Sequence, residues 1–188
     1  TNSNGGDVAV DGRRVIMGLP DEYDYAGFAM WRLAGDTLVP MPGASFGIWE
    51  DPLYPGRVAA AHGVVAGAGT WSGKGVGVFQ FDADGVLQRR GSVSLGGTAT
   101  SIAIDGSLIL VGLQAGNRIE VLDGSDLNAL PRLGTVPLAG VPYDISVRKD
   151  VVAVATGAGV WLGRIAGRTD LSFADERVRL AFDGSSAR

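Results

Sequence analysis

The residues best suited to chemistry fall in three short stretches. Asp21-Glu-Tyr-Asp-Tyr25 and Trp49-Glu-Asp-Pro-Leu-Tyr54 set carboxylates beside phenols and an indole, and Trp71 stands within Thr70-Trp-Ser-Gly-Lys74. Rings of this kind offer an apolar face with a polar edge, and neighbouring acids accept hydrogens from hydroxyl or amide groups. Asp21, Tyr23, Asp24, Tyr25, Trp49, Glu50, Asp51, Tyr54 and Trp71 are therefore the candidate ligand-binding residues, for a protein or a glycan. Two carboxylates at a suitable separation are also what glycoside cleavage requires. A glycan-active hydrolase or lyase using Asp21, Asp24, Glu50 and Asp51 is thus the alternative.

Other spacings imitate catalytic motifs and fail on context. Gly43-Ala-Ser45-Phe-Gly47 has the G-x-S-x-G spacing of a nucleophile elbow, which needs a strand before it, a helix after it and a His in reach. Pro52 and Pro55 follow instead, and the single His, His62, falls in a turn expected at the opposite end. Ala68-Gly-Thr-Trp-Ser-Gly-Lys74-Gly75 lacks the first Gly and the closing Ser or Thr of a phosphate loop, and a strand follows it. Asp82-Ala-Asp84-Gly85 reads as a hairpin turn, because it lacks the further ligands and distal Glu of a calcium loop. No residue is assigned a catalytic role.

Composition narrows the classes. The 188 residues include no Cys and one His, which removes disulfide scaffolds, thiolate metal sites and Cys nucleophiles. The net charge of −4, with Arg13-Arg14 and Arg89-Arg90 as isolated basic pairs, argues against nucleic acid as a partner. No apolar run approaches the roughly 18 residues of a spanning helix, so membrane insertion is not expected. The chain opens at Thr1 without a basic and apolar leader, as a processed or excised piece would.

The elements that must position these residues show a repeat. Val8-Ala-Val-Asp-Gly-Arg-Arg-Val-Ile-Met-Gly18, Val58 to Gly67, Ser101 to Gly112 and Ile145 to Gly157 each read as an apolar strand, a short polar turn and a second strand ending in Gly. Asp-Gly between alternating runs predicts a type I′ hairpin turn, since Gly supplies positive φ without steric cost. The turns at Asp11, His62, Asp105 and Lys149 are 51, 43 and 44 residues apart. Third and fourth strands follow in each unit, the last fourth strand being Leu171 to Phe173. Four antiparallel strands at that period predict an all-β chain, a β-propeller of about four four-stranded blades standing alone or within a larger propeller. A β-sandwich also has short, regularly spaced strands, but has no reason to repeat Asp-Gly at this period. The expected blades span 7–42, 57–94, 99–137 and 143–173 of a single domain over 1–188, with 176–184 opening a further blade or closing the ring.

In such blades the turns after the first and third strands share one end, and the remaining loops share the other. The first end holds minimal turns without aromatics. The second holds the three stretches above together with Phe46, Gln114 to Asn117 and Tyr143, and is the expected binding face.

Two families are resembled by these residues. Val8-Ala-Val-Asp-Gly12, Gly18-Leu-Pro20, Gly27-Phe-Ala-Met-Trp31 and Phe46-Gly47 resemble FG-GAP repeats of the integrin α type. Ile119-Glu-Val-Leu-Asp-Gly-Ser-Asp126, Pro131-Arg-Leu-Gly-Thr-Val136 and Pro142-Tyr-Asp-Ile-Ser-Val147 resemble LVIVD repeats of bacterial surface proteins. The resemblance implies a bacterial propeller, secreted or at the cell surface, and calcium as the one candidate metal, held by Asp21 and Asp24 in the loop after Gly-x-Pro. No other cofactor is implied. The function expected from sequence is a non-catalytic extracellular module for adhesion or other binding. The alternatives are the glycan-active enzyme and a structural subunit of a larger extracellular assembly, its partners being further blades or other subunits.

Overall fold

The computed structural model describes residues 6–19, 26–46, 55–69, 75–148 and 151–165. Among them lie fifteen strands and no helix. Blade 1 is β1 (Val8–Asp11), β2 (Arg14–Leu19), β3 (Ala26–Ala34) and β4 (Thr37–Phe46). Blade 2 is β5 (Pro55–Ala61), β6 (Val64–Gly69), β7 (Gly75–Phe81) and β8 (Leu87–Ser94). Blade 3 is β9 (Ala99–Asp105), β10 (Leu108–Leu113), β11 (Arg118–Asp123) and β12 (Arg132–Pro137). Blade 4 contributes β13 (Pro142–Arg148), β14 (Val151–Thr156) and β15 (Gly159–Arg164), and the expected strand at Leu171 to Phe173 lies outside the described residues. Each sheet is an antiparallel meander in chain order, and the four are arranged as the blades of a β-propeller. The first strands of successive blades lie side by side, β1 by β5, β5 by β9 and β9 by β13.

Alternation along the strands builds the seams. In β10 every residue is buried, because Ile109, Val111 and Leu113 face blade 2 while Leu108 and Leu110 face blade 4. Blades 1 and 2 meet over Ile16, Phe28, Met30, Val58, Val65, Phe79 and Leu87, with the rings of Phe28 and Phe79 edge-to-face at 5.1 Å and 79°. Blades 2 and 3 meet over Ala66, Ala68, Val76, Val78 and the Ile109 row, and blades 3 and 4 over Leu108, Leu110, Ile145, Val152 and Val154. The core is therefore three seams between blades.

Among the described residues, the end blades bury one face only. The register sets Val8 opposite Met17, Val10 opposite Val15 and Leu33 opposite Leu38, on the side of blade 1 away from blade 2. Val8 is 53% exposed, Val10 62% and Leu38 49%. On blade 4 the side away from blade 3 carries the exposed Val151 and Ala155. Among the described residues, no packing of β1 on β13 comparable to the three inner-strand contacts covers these faces.

The turns differ from expectation by one residue. Asp11 pairs with Arg14 and Asp105 with Leu108, so the two-residue loops are Gly12-Arg13 and Gly106-Ser107. Positive φ falls on the first central residue of each, 60° at Gly12 and 58° at Gly106, which is the glycine position of a type II′ turn. Among these first turns of the described blades, only His62-Gly63 has positive φ at both central residues, 53° and 80°, as type I′ requires. The aspartates end the strands instead of turning the chain, which frees their side chains for other work.

Candidate functional site

That work is visible at the turn end of blades 1 and 2. β5 is the first strand of its sheet, so half of its backbone groups have no strand partner within the blade. Two aspartates of β1 and its approach supply acceptors. Asp7 Oδ2 accepts the Val58 N–H at 3.3 Å, while Asp11 Oδ1 and Oδ2 accept the N–H groups of His62 and Gly63 at 3.0 and 2.7 Å. Asp11 thereby fixes the β5–β6 turn against blade 1.

Around this clamp lies an open cleft of about 480 Å³ lined by Asp11, Gly12, Arg13, Arg14, Arg32, His62 and Gly63. The meander brings three of these side chains into one row, since Asp11 pairs with Arg14 and Arg14 with Arg32 in register across β1, β2 and β3. Like charges directly opposite one another in a sheet repel, so the Arg14–Arg32 pairing costs stability unless an anion lies between them. Asp11 offsets it weakly. Its nearer oxygen is 3.8 Å from Arg14, beyond hydrogen-bond distance, and both oxygens are already engaged by backbone amides. The Arg14 guanidinium stands 4.4 Å over the Phe81 ring, a cation–π contact. Arg13 donates Nε–H to the Leu33 carbonyl at 2.9 Å. Arg32 makes no ion pair among the described residues. The cleft is thus a concentration of positive charge on a chain of net charge −4.

The structure does not test the site residues expected from sequence. Asp21, Tyr23, Asp24, Tyr25, Trp49, Glu50, Asp51, Tyr54 and Trp71 are all outside the described residues, and with them the calcium ligands Asp21 and Asp24. The strands that bracket those stretches end where expected, at one common end of the blades: β2 and β3, β4 and β5, β6 and β7. Tyr143 of that end is described and is 59% exposed. Among the described residues no three His, Asp or Glu side chains come together as metal ligands.

The basic cleft is on the end whose turns read, in sequence, as minimal connections. Arg13-Arg14 is legible there only as an isolated pair. Gly18 opposite Phe28 is the register that brings Arg32 beside Arg14, and it depends on the β2–β3 loop length in space, which spacing alone does not give.

The chain matches no family model and no curated protein sequence. Among solved structures it is similar to a protein from Lactobacillus plantarum, at TM-score 0.76 and 16% identity over 98% of this chain and 58% of that one. It is also similar to a "putative 6-phosphogluconolactonase" from Bacteroides fragilis, at TM-score 0.70 and 15% identity over 93% of this chain and 56% of that one. A protein of the same description from Bacteroides uniformis gives 0.68 and 14% over 91% and 53%. This chain spans a little over half the length of these structures. At such identities the likeness is one of fold.

These findings correct two expectations. The resemblance to FG-GAP and LVIVD repeats holds as far as the β-propeller and no further, since neither family is matched. The non-catalytic extracellular binding module is overturned: two of the similar propellers bear an enzyme's name, and no comparison supports an extracellular or adhesive role. The degenerate strand–turn–strand pattern that suggests surface repeats is set by blade geometry, and propellers of other kinds share it.

Proposed function

We propose that this chain is the four-blade part of a larger β-propeller hydrolase that opens a small sugar lactone. One observation carries the reading: the four blades superpose at TM-scores of 0.70 and 0.68 on little more than half of two propellers described as "putative 6-phosphogluconolactonase". At equal blade size, four blades in that share of a chain correspond to about seven in all. The uncovered apolar side of blade 1, with Val8, Val10, Leu33 and Leu38, supports the same reading, because further blades would bury it as blades 2 and 3 bury theirs.

In the reaction the oxygen of water adds to the lactone carbonyl carbon, and the ring C–O bond then breaks. The ring oxygen takes up a proton to become a hydroxyl, and the product carboxylic acid releases one to solution. A propeller suits the task by holding a polar ligand on loops at one end of rigid blades. The test is acid release in weakly buffered solution from a panel of sugar lactones. Saturable release above the spontaneous rate supports the reading, and release at the spontaneous rate for every lactone removes it.

A further inference from the structure

The basic cleft between blades 1 and 2 has a chemistry of its own. We infer that it is a binding site for the phosphate group of a small phosphomonoester, seated between Arg13, Arg14 and Arg32 at the mouth and the His62-Gly63 turn behind them. The inference stands apart from lactone opening, and either can fail without the other.

Four observations converge on an anion. The cleft gathers three guanidinium groups and an imidazole around a single carboxylate, on a chain whose overall charge is negative. That carboxylate is already occupied, with each Asp11 oxygen accepting a backbone N–H from the neighbouring blade. Two of the arginines, Arg14 and Arg32, are directly opposite each other in a strand pair, an arrangement that an intervening anion turns from repulsion to attraction. The third arginine, Arg13 in the turn, is exposed and is tethered through Nε to the Leu33 carbonyl at 2.9 Å, a bond that engages one nitrogen of its guanidinium.

The geometry favours phosphate over a lone carboxylate. Planar guanidinium groups bind phosphate oxygens through paired N–H donors, and several oxygens are needed to engage three such groups at once. Arg14 rests against the Phe81 ring at 4.4 Å, a contact that reduces the freedom it loses on binding. A volume of about 480 Å³ admits a sugar phosphate rather than the bare ion alone. The cleft is open, so screening by salt weakens the attraction, and affinity falls as ionic strength rises.

Amide and arginine side-chain resonances of the 188-residue chain, carrying Val10→Lys and Leu38→Lys on the far side of blade 1 to keep it monomeric, are followed while glucose 6-phosphate is added at low salt to test the site. The expected result is saturable shifts of His62, Gly63 and the Arg13, Arg14 and Arg32 side chains. Inorganic phosphate should produce the same shifts more weakly, and glucose and gluconate none. Arg32→Gln should weaken glucose 6-phosphate binding about tenfold with the remaining spectrum unchanged, because Arg32 is exposed and makes no ion pair among the described residues. Arg32→Lys should recover part of the loss. Absence of saturable shifts with glucose 6-phosphate, equal shifts with gluconate, or an affinity unchanged in Arg32→Gln would each overturn the inference.

Discussion

At the scale of single residues, the carboxylates decide how the turns are held. Asp11 is displaced by one position from the turn its Asp-Gly sequence predicts, and that displacement lets it cap two amides of the next blade. Asp11→Ala should cost about 1 kcal/mol, the usual worth of a hydrogen bond whose partners can partly turn to water, measured by urea unfolding. Asp82 shows the same economy within a hairpin. The N–H of Val86 and the side-chain amide of Gln88 donate to it, and they hold its carboxyl below the ordinary 3.8. Ser125, through its hydroxyl and its N–H, does the same for Asp123. A carboxyl depressed on folding adds stability that is present above the unfolded value near 3.8 and lost as pH falls through the folded one. Carboxyl carbon titration should therefore place both midpoints below those of the urea-unfolded chain, and Asp82→Asn should flatten the acid side of the stability profile. Sequence makes these residues visible as turn formers. It does not show which way each carboxylate points, because a shift of one residue in a two-residue loop moves the side chain to the other face.

At the scale of elements, strand pattern and packing agree closely with what the sequence implies. The run Leu108 to Leu113 is apolar throughout because both its faces are covered, whereas Val8-Ala-Val10 alternates in burial because one is not. Small residues mark close approaches between blades. A Cβ on Gly91 would collide with the Leu127 carbonyl oxygen and lie 2.8 Å from that of Asn128, both backbone atoms that cannot rotate away. Gly134, on β12 of the next blade, has open space at the same place. Gly91→Ala should destabilise by about 1–3 kcal/mol while Gly134→Ala leaves the melting temperature nearly unchanged. Phe79, 1% exposed against Phe28, should cost about 3–5 kcal/mol when cut to Ala. Hairpins are legible from spacing because turn and alternation are local signals. The Arg14–Arg32 pairing is not, since it depends on where β3 begins after the β2–β3 loop.

At the scale of the whole molecule, the four blades leave two faces without neighbours among the described residues. The Val8, Val10, Leu33 and Leu38 face is apolar in the manner of the buried seams, and it lies on the first blade of the arc. If the chain is part of a larger propeller, further blades cover it. Deprived of them, the 188-residue chain should self-associate at micromolar concentration, and Val10→Lys with Leu38→Lys should return it to a monomer in sedimentation, the charges being tolerated because both positions are exposed. The period of the turns makes the propeller readable, but not its role, because many chemistries share this fold and the residues that distinguish them sit in loops. Acid release from the panel of sugar lactones is the measurement that bears most directly on the proposed lactone opening. A rate that saturates with lactone and exceeds spontaneous ring opening is expected, and a rate equal to that of buffer alone would refute it.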